Sequence, residues 1–197
     1  MATSISDFLS SMAGGGARAN RYEVIFTFPT ALGIPAAAGE QLTYLCKGAE
    51  LPEATIGQAN VGFKGRTLKL PGDITWPDWN VTLYLDNDFL PRDIFQKWQN
   101  LINGYRSNVS APNGQLPATF LGSAKIYTLD REDKVTTTTQ VNAIWPTVVG
   151  TMALDYTTND AIAEQPVTFA VNEVVALGAG RVGTITSVTP IARPTRG

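Results

Sequence analysis

The chain has no histidine in 197 residues. That removes the commonest general base, the commonest metal ligand and any imidazole-activated nucleophile. It has one cysteine, Cys46. No disulfide framework within the chain and no thiolate zinc site can be built from it, and folding inside a reducing cell is the natural inference. Charge is also scarce, at 16% of residues against roughly 25% in an average soluble protein. The net charge is −2, the pI is about 5.1, and lysine and arginine form no cluster. Nucleic-acid binding needs a basic footprint to neutralise phosphates, so a DNA- or RNA-binding domain is not expected. No apolar run approaches the 18 or so residues of a membrane helix. Residues 1 to 20 are too polar for a signal peptide. The chain reads as soluble when made.

What remains for chemistry is carboxylate. Asp86 with Asp88, or Asp130 with Asp133, could be proposed as an acid pair of the glycosidase kind. The same residues read more simply as a helix cap and a turn. The run Gly178-Ala179-Gly180-Arg181-Val182-Gly183 superficially matches a dinucleotide fingerprint. That motif needs a strand before it, a helix after it and an acid about 20 residues on, and none of that context follows. No catalytic residue, metal ligand or cofactor site is expected, and the chain does not read as an enzyme.

The order of elements is mostly β. A short apolar-periodic piece (Ile5, Phe8, Leu9, Met12) and Gly14-Gly15-Gly16 read as a short helix and a hinge. In the first strand Tyr22, Val24, Phe26 and Phe28 share one face. Residues 30 to 40 read as a loop. Strands are expected at Gln41 to Lys47, Asn60 to Leu70 (closed by Pro71-Gly72) and Trp79 to Asp86. The period then changes from 2 to 3.6: Ile94, Phe95, Trp98, Leu101 and Ile102 form one apolar helical stripe. Asp88 is placed to cap this helix, Pro91 suits its first turn and Gly104 its end. Residues 105 to 118 read as a polar loop. Thr119 to Leu129, the turn Asp130 to Asp133, and Val135 to Ile144 have a hairpin signature, with Trp145-Pro146 as a break. Strands at Met152 to Thr157 and Val167 to Val175 complete the pattern. The length fits an extension (1–20), one domain (21–177) and a flexible tail (178–197).

From Cys46 to Asn103 the residues follow a recognisable order. Cys46-Lys47-Gly48-Ala49-Glu50-Leu51-Pro52 precedes Val61-Gly62-Phe63-Lys64-Gly65 and Leu70-Pro71-Gly72-Asp73. Val81 to Phe89, Arg92 and Phe95 to Trp98 follow. This order resembles the tail tube family of contractile-tailed bacteriophages. Ala19 to Val24, Ile126 to Arg131, Asn142 to Pro146 and Val167 to Phe169 resemble the family's two flanks. The loop from Tyr105 to Ala118 and the tail after Leu177 depart from its compact pattern.

The resemblance implies a mainly β fold: two antiparallel sheets packed as a sandwich or flattened barrel, with one packed helix. It implies a homohexameric ring whose inner sheets join around a channel. Rings would stack into a tube within the virion tail, assembled in the host cytoplasm, with sheath, tape-measure and baseplate proteins as partners. DNA would pass through without specific binding. Joining sheets in a ring would also remove the strand edges that so few charges protect. Within that picture Thr136, Thr138, Gln140, Asn142, Thr168 and Asn172 are expected to line the lumen. Glu50, Leu51, Pro52, Glu53, Ala54, Thr55 and Ile56 are expected to meet the next ring. Phe95, Trp98 and Leu101 would hold the helix to the body. Two alternatives stand beside this: a baseplate or tube-initiator protein of the same fold, and a carbohydrate-binding β-sandwich using Trp76 and Trp79 as stacking platforms.

Overall fold

A computed structural model describes residues 4–12, 16–157 and 159–178. Nine strands and four α-helices follow one another among these residues. They are α1 (Ile5–Ser11), β1 (Tyr22–Thr27), α2 (Ala36–Leu45), β2 (Cys46–Ala49), β3 (Thr55–Phe63), β4 (Arg66–Thr75), β5 (Trp79–Tyr84), α3 (Leu90–Ile102), α4 (Pro117–Phe120), β6 (Gly122–Leu129), β7 (Val135–Val149), β8 (Glu164–Ala170) and β9 (Glu173–Gly178). The fold is mainly β, with antiparallel sheets that do not close into a barrel. Gly178 ends β9, and the rest of the fingerprint match at 178–183 and of the expected tail at 178–197 lies outside the described residues, as do three of the residues around the expected hinge, 13–15.

The body is organised by β7. Its first half pairs with β6 and β9, and β6 carries β1, giving the order β1-β6-β7-β9. Its second half pairs with β8, which leads to β5 and β2. One strand thus belongs to both sheets. It changes sheet where Ala143 takes a left-handed φ of 51°, a conformation uncommon for alanine. Trp145-Pro146 does not break this strand: Pro146 lies opposite Phe169, and the register slips between Pro146 and Val148. A proline fits a strand where a bulge has already interrupted the ladder. The bend also shifts the inward-facing phase. Thr139 and Val141 face the core, then Ile144 and Pro146 do. Val135 and Thr137, on the face assigned inward by strict alternation, are exposed.

Both sheets face one core. Val24 and Phe26 enter it from β1, Ala124 and Ile126 from β6, Trp79, Val81 and Leu83 from β5, and Val167 and Phe169 from β8. Helix α3 covers it with Ile94, Phe95 and Trp98, all buried, whereas Leu101 is only half-buried. The indole N–H of Trp98 donates to the Phe120 carbonyl at 2.7 Å. Its ring lies where a side chain of Gly122 would be, since a Cβ there would stand 2.6 Å from Trp98 Cη2. The helix start differs from expectation. Phe89 precedes it in a left-handed conformation, and Asp86 rather than Asp88 accepts the Leu90 N–H, at 2.8 Å. Asp86 is also held by Gln41 Nε2 at 3.0 Å.

Five other expectations are corrected. Residues 36–45 are helix α2, so the strand expected from Gln41 starts only at Cys46. The Leu42-Tyr44-Cys46 alternation mimics a strand, but the preceding Ala36-Ala37-Ala38 favours helix. Where one strand was read at 60–70, two strands of a hairpin occur. Met152 to Thr157 contains no strand. Residues 167–175 hold the end of β8 and the start of β9, separated by a turn at Val171-Asn172. The loop at 105–118 contains a short 3-10 turn and leads into α4, so β6 begins at Gly122 rather than Thr119.

The buried indole of Trp98 gives a direct test of this core. Trp98→Ala is expected to destabilise the subunit by roughly 3–5 kcal/mol, read from denaturant unfolding of the monomer. A loss below about 1 kcal/mol, as for a surface position, would show that α3 is not anchored as described.

Candidate functional site

The most unusual surface is the β3–β4 hairpin. Phe63 and Arg66 close a two-residue turn whose residues Lys64 and Gly65 have φ of 45° and 76°. Both central residues at positive φ is the turn whose twist matches a β-ribbon. Below it Val61 faces Leu68 and Ala59 faces Leu70, while Asn60 with Lys69 and Gly62 with Thr67 occupy the other face. The ribbon is therefore amphipathic, yet every residue of both strands is exposed. Val61 is 44% exposed, Phe63 60%, Leu68 54% and Leu70 52%. A lone two-stranded ribbon is marginal in water, and an apolar face of this length without cover marks an interaction surface. Pro71-Gly72, expected to end a strand, lies within β4 beside a register shift.

The segment expected to meet a neighbouring ring forms the root of this ribbon. The Glu50 carbonyl accepts the Trp79 indole N–H at 2.7 Å, fixing the point of departure to the core. Leu51, Glu53 and Ala54 are exposed and Pro52 is half-buried, while Thr55 and Ile56 already belong to β3. Trp79 itself is buried and Trp76 packs against the core. Neither presents the open platform that sugar stacking requires.

The second surface is the outward face of β1-β6-β7-β9. Thr138 lies between Tyr127 and Leu177, Gln140 between Lys125 and Val175, and Asn142 between Ser123 and Glu173. Glu23, Ile25 and Thr27 extend these rows on β1. Thr136 stands at the register shift between β6 and β7, where its hydroxyl meets that of Thr128 at 3.0 Å. Amides bridge the rows: Gln140 Nε2 donates to Asn142 Oδ1 at 2.8 Å, and Asn142 Nδ2 to Glu173 Oε2 at 2.9 Å. The face is mixed, with a lysine, two glutamates and apolar Val175 and Leu177. Alternation along β7 alone could not reveal the side chains its neighbours contribute. Thr168 is elsewhere, on the outward face of the other sheet, where its hydroxyl donates to Asn80 Oδ1 at 2.9 Å. Asn172 sits in the β8–β9 turn and donates to the Ala143 carbonyl at 2.9 Å, holding the bend of β7.

Three of the four carboxylates considered for catalysis, Asp86, Asp130 and Asp133, have structural roles. Asp130 accepts the Glu132 and Lys134 N–H groups at 2.7 and 3.0 Å. Those bonds, that from Lys134 foremost, hold its carboxyl below the usual range. Asp133 pairs with Arg21. Burial pushes the Cys46 thiol up to about 11, so it stays protonated at neutral pH. Among the described residues no group of histidine, cysteine, aspartate or glutamate could hold a metal ion, and no helix is long and apolar enough to cross a membrane.

The profile of the family described as phage tail tube protein matches residues 17–174. The chain is 30% identical over 161 residues to tail tube protein gp19 of Enterobacteria phage T4, covering 81% of this chain and 91% of that one. It is 29% identical over 169 residues to the tail tube protein of Serratia phage KSP90, covering 83% and 91%. In fold it is similar to a chain of the anti-feeding prophage baseplate, solved by cryo-EM with 6-fold symmetrisation. That match has TM-score 0.59 and 13% identity, and covers 83% of this chain and 96% of that one.

If the ribbon's apolar face serves a partner rather than its own subunit, replacing it should not weaken the monomer. Val61→Thr and Leu68→Thr both place a polar β-branched residue that a strand tolerates. Each is expected to change the monomer's unfolding free energy by less than about 0.5 kcal/mol. Losses of 2 kcal/mol or more, about those of core truncations, would place this face inside the subunit.

Proposed function

The chain belongs to the phage tail tube protein family, a structural component of the virion tail, and from that premise we propose that six copies form a ring and that rings stack into a hollow tube through which DNA leaves. The observation that carries this reading is the ribbon of β3 and β4, amphipathic and uncovered in the subunit. A surface of this kind, meeting a different surface on the next copy, produces rings or open-ended stacks. The relatives supply the context. One similar fold belongs to a baseplate solved with 6-fold symmetrisation and another to a sheath–tube complex of an extracellular contractile injection system. Sheath and baseplate proteins are accordingly the expected partners, and the family resemblance adds a tape-measure protein.

In this assembly the outward face of β1-β6-β7-β9 lines the channel, with Thr136, Thr138, Gln140 and Asn142 among its residues. A wall that passes DNA must not grip it, because each phosphate–cation contact adds affinity that a repeating tube multiplies. Glu173 on this face offsets the charge of Lys125. Glu50 to Ile56, at the root of the ribbon, faces the neighbouring ring.

Negative-stain microscopy of the purified chain tests the reading at once: hollow tubes are expected, whereas monomers at all concentrations would overturn it and single rings would favour an initiator. Thr138→Lys with Gln140→Lys tests the wall. Tubes should still form, and particles carrying them should eject DNA more slowly, most of all at low salt. Labelling of both lysines by a bulky amine reagent on intact tubes would place this face outside.

A further inference from the structure

Resting on the reading of the chain as a ring- and tube-former, we propose that the ribbon tip of one copy seats in the groove between β1 and α2 of the next. The tip is chemically distinct from the rest of the ribbon. Phe63 and Arg66 are paired across the turn, and Lys64 Nζ stands 5.4 Å from the centre of the Phe63 ring. This is one exposed aromatic ring flanked by two cations. Among the described residues, neither Lys64 nor Arg66 has a carboxylate partner.

The groove is its complement. It has a volume of about 370 Å³. Ile25, Phe28, Ile34 and Tyr44 give it apolar walls, and Glu23 and Glu40 lie among its lining residues. Both glutamates lack an ion-pair partner among the described residues. Tyr44 projects from α2 almost fully exposed. The groove also runs beside β1, which pairs with β6 on one side only.

Two other depressions match the tip less well. That between α3 and Trp145 is lined by no carboxylate, and that around Tyr22 and Cys46 is lined by a cation, Lys47. A single aromatic ring in an apolar slot, with paired charges at its border, is the arrangement that sets register and partner choice. Every copy carries both tip and groove on different parts of its surface, so the contact is head-to-tail and propagates from copy to copy.

Reciprocal charge reversal tests the contact. Lys64→Glu with Arg66→Glu, and separately Glu23→Lys with Glu40→Lys, should each raise the concentration needed for tube formation at least about tenfold. Monomer thermal midpoints should stay within a few degrees of the unmodified chain. The four substitutions together should restore assembly toward the unmodified level. Assembly unaffected by either pair, or not recovered by the combination, overturns the proposal. An independent arm does not depend on the stability of those variants. In a Cys46→Ser background, Lys64→Cys with Glu40→Cys should give intermolecular disulfides in assembled particles, and their absence overturns it too. Absence of tubes from the unmodified chain would instead refute the underlying reading, so the two failures are distinguishable.

Discussion

Phe169 is the residue on which the rigidity of the body depends. Its ring lies 5.5 Å from those of Trp79 and Phe95, 5.9 Å from Phe26 and 6.2 Å from Trp98. Four rings from β1, β5 and α3 thus meet on one side chain of β8. Aromatic contacts of this kind each add roughly 0.5–1.5 kcal/mol beyond the area they bury. More to the point, they tie both sheets and the covering helix into one unit, so displacing any of them disturbs the rest.

The polar framework reinforces the same unit. Gln165 is fully buried beside this cluster in sequence, and it is satisfied on every side: Arg92 donates to its oxygen at 2.6 Å, and its amide donates to the Gly150 and Pro166 carbonyls at 2.8 and 2.9 Å. This ties the first turn of α3 to the connection between β7 and β8. A body so fixed can carry a ribbon that contributes nothing to its own core. The Trp79 indole, which belongs to the aromatic cluster and also holds the Glu50 carbonyl, links the two parts. The fold therefore separates the buried body from the exposed ribbon.

Much of the body was legible in the sequence because its residues obey one period at a time. The stripe Ile94, Phe95, Trp98 gave α3, and Val81-Leu83-Leu85 gave β5 with its faces correct. The failures share a cause: local signals were overridden by partners distant in the chain. Pro71 and Pro146 read as breaks, but register shifts beside each accommodate a missing N–H. The bend at Ala143 reverses the phase of β7, which no alternation rule anticipates. The ribbon was partly visible in Val61-Gly62-Phe63-Lys64-Gly65, which carries part of the resemblance, but its turn and its exposed apolar face could be found only once Val61 and Leu68 were seen opposite each other. The outward rows of β1-β6-β7-β9 were half legible. Alternation gave Thr138, Gln140 and Asn142, but only pairing brings Lys125, Val175 and Glu173 beside them.

The central claim is that the ribbon is held by neighbours and not by its own subunit. Hydrogen exchange of the amides in residues 55–75 measures this most directly, in the free chain and in assembled particles. The account predicts rapid exchange in the free chain, with β5, β8 and α3 strongly protected, and marked slowing of the ribbon on assembly. Ribbon amides as protected in the free chain as those of β5, or unchanged on assembly, would contradict it.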